Sequence, residues 1–297
     1  MDFLKIAKNK LKQANSFEKI LYLNIAVYVI VNIFKVVIFL IQVRDAGLYY
    51  PVNYLALPAS FHHLKYIPWT VITYMFLHED FLHILFNMLW FYWFGKMFVA
   101  YIGAKKLTAV YLLGGIFGAI FYVAAFNLFP AFTKDIEISK ALGASAAVIA
   151  VVVAISFYIP NNKVNLMFIG EVKLKYIALF TIVIDLLSIA SENSGGHIAH
   201  LGGAFFGFIY AVQLKNGMNL FGWIKNPFSN FTIDFKRKPR MKATYNKAKD
   251  MDDRDYNYEK AKQQKEIDVV LDKIAKSGYD SLSKKEKEIL FNTSKKN

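Results

Sequence analysis

Leu142-Gly143-Ala144-Ser145-Ala146-Ala147-Val148-Ile149-Ala150-Val151-Val152-Val153-Ala154-Ile155-Ser156-Phe157-Tyr158-Ile159 is the stretch on which the fold turns. It carries no charge and approaches the ~20 apolar residues a helix needs to cross a hydrocarbon core of about 30 Å. Its first turn is a run of small residues around one hydroxyl, Ser145. Reading outward in both directions finds five more runs of this kind, at 19–42, 82–101, 107–128, 174–190 and 198–214. The expected fold is therefore all-α and membrane-embedded, a bundle of six transmembrane helices.

The composition supports the same class. Of 297 residues, 56% are hydrophobic, 16% aromatic and only 20% charged, with a mean hydropathy of +0.31, too apolar for an ordinary soluble domain. The net charge of +14 would suit a nucleic-acid binder, but it sits as +3 in residues 1–20 and +5 in 215–240, at the two ends of the apolar block. A basic fringe of that kind suits lipid headgroups, so no nucleic acid is expected as a partner. Zero cysteines exclude a disulfide scaffold, a thiolate nucleophile and Cys-ligated metal.

Loop charges orient the spans. With the termini inside, Lys105, Lys106, Lys163, Lys173 and Lys175 fall in inner loops and most loop acids, among them Glu79, Asp80, Asp135, Glu137 and Glu192, fall outside. That choice satisfies the positive-inside rule. Both termini are expected in the cytoplasm, in a bacterial-type cell (inner) membrane, with the first span retained as an anchor. Four regions follow: a basic segment at 1–18, a six-span core at 19–215, a polar, basic juxtamembrane linker at 216–265 and a short helical segment at 266–297. The linker contains the polybasic patch Lys236, Arg237, Lys238 and Arg240. In the tail, Glu266–Lys276 reads as an amphipathic helix, and Ser283 to Glu286 fits a capping box ahead of Ile289 and Leu290. The first outer loop is long, about forty residues, and rich in aromatics and proline, which predicts amphipathic pieces lying in the membrane interface.

Polar residues inside spans are functional candidates because they are costly there. Span two opens with His78, His83 and Asn87, the last two one helical turn apart. Span four opens with Gly143 and Ser145. Span six opens with His197, His200 and Gly203, with Gly207 a turn further on. Spans two, four and six all enter from the outer side, so the three groups lie at similar depth. A Gly-x-x-x-Gly groove beside His200 lets a neighbouring helix approach closely, and a Ser145 hydroxyl within about 3 Å of His200 would form a dyad. His83, Asn87 and the amides at the start of span four would donate to an oxyanion. No carboxylate is placed by spacing to serve as a third member. Lys35 is expected to snorkel and Asp185 to reach water at the outer ends of their spans. His197 and His200 lack a third ligand of recognised spacing, and His78 and His83 are five apart rather than four, so neither a metal nor a cofactor is expected.

These three motifs, in order and each on the right span, resemble the rhomboid family of intramembrane serine proteases over roughly residues 60–215. The resemblance implies Ser145 as nucleophile, His200 as general base, His83 and Asn87 as oxyanion donors, and His78, Gly143, Gly203 and Gly207 in support. It implies cleavage in or near a transmembrane segment of membrane-protein substrates, without metal or ATP. Two positions depart from the family pattern. Ala146 stands where Gly is common, and Ile149 stands where an aromatic often stacks on the catalytic ring, which leaves the orientation of His200 less secured. A non-catalytic rhomboid-like protein that binds or escorts membrane proteins is the rival reading, and a transporter resting on Asp185 and Lys35 is the third.

Overall fold

Backbone amides in an apolar run have no water to bond to, so such runs close their hydrogen bonds internally as helices. The computed structural model describes residues 13–41, 50–166, 170–218 and 253–288. Its long helices are α1 (Ser16–Leu40), α2 (Phe81–Tyr101), α3 (Ala104–Leu128), α4 (Ser145–Tyr158), α5 (Leu174–Leu187) and α6 (Ser194–Lys215) in one unit, and α7 (Asp253–Ser277) in a second. Each of the six apolar runs falls on one of α1 to α6. By length and composition, α1, α3 and α6 are long and apolar enough to cross a membrane. Lys5, Lys8, Lys10 and Lys12, the polybasic patch at 236–240, and Ile289 and Leu290 lie outside the described residues.

α4 sits at the centre, packed most extensively against α6 and α3, and every residue from Ala146 to Ser156 except Ile149 is buried. Small residues make this closeness achievable. A Cβ at Gly203 of α6 would collide with the carbonyl oxygen of Ala146, and one at Gly207 with that of Ala150. On α3, a Cβ at Gly114 would meet the Ala150 side chain. Large apolar side chains instead cover the outside of α1, α2 and α5, among them Ile30, Phe39, Phe86, Trp93, Phe180 and Leu187. That is the surface a bilayer would cover.

From residue 50 onward, the long connection between α1 and α2 is folded. It holds one-turn helices at Val52–Leu55, Phe61–Leu64 and Thr70–Thr73, with Tyr54, Phe61, Tyr66, Trp69 and Ile72 exposed, and the strand β1 (Leu57–Pro58). β1 pairs antiparallel with β2 (Lys140–Ala141), Leu57 opposite Ala141 and Pro58 opposite Lys140. Ala59 N–H donates to the Ser139 carbonyl at 3.1 Å, and Asn127 of α3 donates to the Ala59 carbonyl at 2.8 Å. This braces the segment that leads into Ser145. A second antiparallel pair, β3 (Lys163–Leu166) with β4 (Gly170–Lys173), links α4 to α5.

In the second unit, α7 begins at Asp253, earlier than the Glu266 expected from the apolar stripe alone. Gly278 ends it at φ +76°, and a second short helix at 284–288 starts behind Ser283. The expected capping box is formed: Ser283 N–H donates to Glu286 Oε2 at 2.7 Å and Glu286 N–H to Ser283 Oγ at 3.4 Å. Lys273 of α7 pairs with the Glu286 carboxylate at 2.9 Å.

Candidate functional site

The starts of α2, α4 and α6 and the end of α5 surround a cavity of about 740 Å³. Its lining includes His83, Asn87, Gly143, Ser145, Asp185 and His200. The structure thus brings together His83, Asn87, Gly143, Ser145 and His200 from those singled out on spans two, four and six, and adds Asp185 from α5, while His78, His197, Gly203 and Gly207 are not part of the lining.

Ser145 is the first residue of α4. The chain reaches it through Gly143 at φ +121°, a backbone conformation that disfavours a side chain, and a Cβ there would lie 2.8 Å from the His83 ring. Gly143 N–H donates to the Tyr74 carbonyl at 2.9 Å, and Ala144 N–H donates to His78 Nε2 at 3.2 Å. Both amides ahead of the serine are therefore spent on holding the loop. The amides of Ser145, Ala146 and Ala147 have no acceptor within the helix and present its positive end toward the cavity.

His78 lies in the turn before α2 and is fully buried. Its Nε2 accepts from the Ala144 amide, so that nitrogen carries a lone pair and no proton. The His78 and His83 rings meet edge to face with centroids 5.1 Å apart. One turn along α2, Asn87 Nδ2 donates to the His83 carbonyl at 2.9 Å, which leaves its second N–H for another acceptor.

Asp185 is the residue that sequence spacing missed. Expected to reach water, it is instead 6% exposed, and its Oδ1 lies 2.8 Å from His200 Nδ1 and 2.8 Å from His197 Nδ1. An ionised carboxylate only accepts, so both rings carry their proton on Nδ1, and the lone pair of His200 is on Nε2. A carboxylate therefore does stand behind His200, where sequence spacing placed none. Ile149 leaves the ring without an aromatic neighbour at that position, and Asp185 supplies the orientation instead. His197, for which sequence spacing offered no third ligand, shares the same oxygen. Lys35, expected to snorkel, pairs with Glu79 at 2.8 Å. No hydrogen bond among the described residues joins Ser145 Oγ to a His200 nitrogen, in contrast to the expected ~3 Å contact; such bonds commonly tighten only when substrate is bound.

A family model for the rhomboid domain matches residues 67–216, just over half of the chain and the whole of this site. The chain belongs to the rhomboid family. A second family model, of unknown function (DUF6576), matches residues 249–296, which contain α7. Among curated proteins, the rhomboid chain is 32% identical over 157 residues to RHOMBOID-like protein 12, mitochondrial, of Arabidopsis thaliana, covering 50% of this chain and 47% of that one. It is 29% identical over 140 residues to Presenilin-associated rhomboid-like protein A, mitochondrial, of Danio rerio, covering 46% and 34%. It is 28% identical over 151 residues to Rhomboid protein 1, mitochondrial, of Saccharomyces cerevisiae, covering 48% and 41%. The chain spans less than half the length of each. All three are mitochondrial by name, which overturns the expectation of a bacterial-type cell membrane with cytoplasmic termini. Loop charges report which face the termini share; they carry no information about which membrane it is.

Proposed function

We propose that this rhomboid-family membrane protein is an intramembrane serine endopeptidase acting on the transmembrane segments of other membrane proteins. It would span a mitochondrial membrane six times, with both termini on one face. The observation that carries the reading is the shared cavity: a serine at a helix N-terminus, a histidine whose Nδ1 is held by a buried carboxylate, and two side-chain donors, all lining one space. At 1.5 Å per residue, α4 is about 21 Å long, shorter than the hydrocarbon core, which supports a nucleophile sunk below the membrane surface.

Ser145 Oγ attacks the scissile carbonyl carbon while its proton passes to His200 Nε2, and Asp185 stabilises the imidazolium that results. The tetrahedral oxyanion takes hydrogen bonds from the free Asn87 N–H, the His83 ring and the Ser145 amide. Collapse breaks the C–N bond, and the imidazolium returns the proton to the leaving amine. Water, activated by the same ring, then frees the acyl-serine.

The missing Ser145–His200 hydrogen bond favours a second reading, a rhomboid-like protein that binds membrane proteins without cutting them. Cleavage of a single-span substrate in proteoliposomes separates the two. The proposal expects Ser145→Ala and His200→Ala to fold normally and to lose at least about 10⁴-fold in rate. Cutting by Ser145→Ala at the wild-type rate, or none by the wild type on several substrates, transfers the lead to the binding protein.

A further inference from the structure

We propose that Asp185, His197 and His200 form a binding site for a zinc-type divalent cation, and that filling it silences His200. The silencing rests on the protease reading above; the binding does not. Each of the three residues offers one ligand atom, and these atoms all lie within 4.8 Å of one another. The two histidines sit three residues apart on α6, on one face, and the carboxylate comes from α5, so two helices clamp the site from different directions.

The donor set selects the metal. Two imidazoles and one carboxylate suit zinc, copper or nickel, whereas magnesium and calcium call for more oxygen ligands than three residues supply. Tetrahedral zinc holds such donors at 2.0–2.2 Å, which sets them about 3.3 Å from one another. The two N–O separations here are 2.8 Å and open by about half an ångström to admit the ion, while the separation of the two imidazole nitrogens, within 4.8 Å, closes toward the same value. Asp185 and His200 both line the cavity, and water there can take the fourth position.

Occupancy has a defined chemical consequence. The metal takes the Nδ1 lone pair of each ring, so the proton now on Nδ1 must move to Nε2. A His200 bearing Nε2–H is a donor and cannot accept the Ser145 proton. His197 is then the residue that turns a carboxylate–histidine pair into a metal site, which explains chemically why a second imidazole on the same oxygen matters.

The test uses the full chain in detergent and in proteoliposomes. Cobalt added to the Ser145→Ala protein should give the intense visible absorption of a tetrahedral ion, a readout independent of cleavage. Zinc should inhibit the wild type, reversed by EDTA, while magnesium and calcium do not. His197→Asn, compared with its own zinc-free rate, should need at least about tenfold more zinc. Should that variant fail to fold, X-ray absorption at the zinc edge of the wild type should report two imidazoles in the first shell. No tetrahedral cobalt spectrum, a zinc shell without imidazole, equal inhibition of the wild type and a folded His197→Asn protein, or activation by zinc would each overturn the proposal. A wild type that never cleaves yet gives the cobalt spectrum would sink the protease reading and leave the metal site standing.

Discussion

At the scale of single residues, the most consequential contact is one oxygen accepting from two rings. Asp185→Asn keeps the size of the side chain but gives it an amide that can donate, which favours the wrong tautomer of His200. The expected outcome is a folded protein whose kcat falls by about 10²–10⁴-fold with KM little changed, measured on a cleavable single-span substrate. A kcat within a few-fold of wild type would remove Asp185 from the mechanism. Ser145, His200 and the paired glycines were legible because small residues around a lone hydroxyl or ring stand out in an apolar run. Asp185 was not, because its partners lie 12 and 15 residues away on the next helix, and their meeting is a tertiary event. Hydropathy alone sends an acid near a span end to water; burial among two histidines requires knowing how α5 lies on α6.

Elements carry the next level of argument. α6 touches the α4 backbone through Gly203 and Gly207, so even one methyl group must push the helices apart. Gly203→Ala should cost about 3 kcal/mol of stability and move His200 away from Ser145, read as a lowered unfolding temperature together with lost cleavage. An unchanged midpoint would mean that the contact is looser than drawn. In the second unit, Glu286 has its pKa held down at about 2, first by the hydrogen bond from Lys273 and then by those from Ser283. A carboxylate depressed in the folded state contributes stability above its unfolded pKa and loses it as pH falls through the folded one. Protection from amide exchange at residues 284–288, taken relative to the intrinsic rate at each pH, should therefore hold at pH 5 and fall between about pH 4.5 and 2; a flat profile would show the pair to be inert. Helix ends were less legible than helix centres. The capping box of Asn15 and Glu18 starts α1 at Ser16, ahead of the first apolar residue of the run, and the β3–β4 pair arises within a stretch short enough to pass for a plain loop.

For the whole molecule, the absence of cysteine is an experimental advantage, since every introduced thiol is unique. In sealed, uniformly oriented vesicles, an impermeant maleimide should label Lys105→Cys and Lys163→Cys from one face and Lys134→Cys and Glu192→Cys from the other. Labelling of Lys105→Cys and Lys134→Cys from the same face would break the six-span reading. The placing of the apolar runs on helices was legible at this scale because run length and apolarity are linear properties of a chain. How the helices differ in exposure was not, since that depends on which one lies at the centre. α4 is almost wholly enclosed, whereas α5 shows Leu179, Phe180, Val183, Ile184, Leu186 and Leu187 to the outside. Both imidazoles ride on α6, anchored to α4 through backbone, while their common carboxylate rides on this peripheral α5. An outward tilt of α5 therefore lengthens both contacts in the same stroke, as a safety catch lifts when a door swings. The position of the peripheral helix and the hold on both imidazoles form one mechanical coordinate.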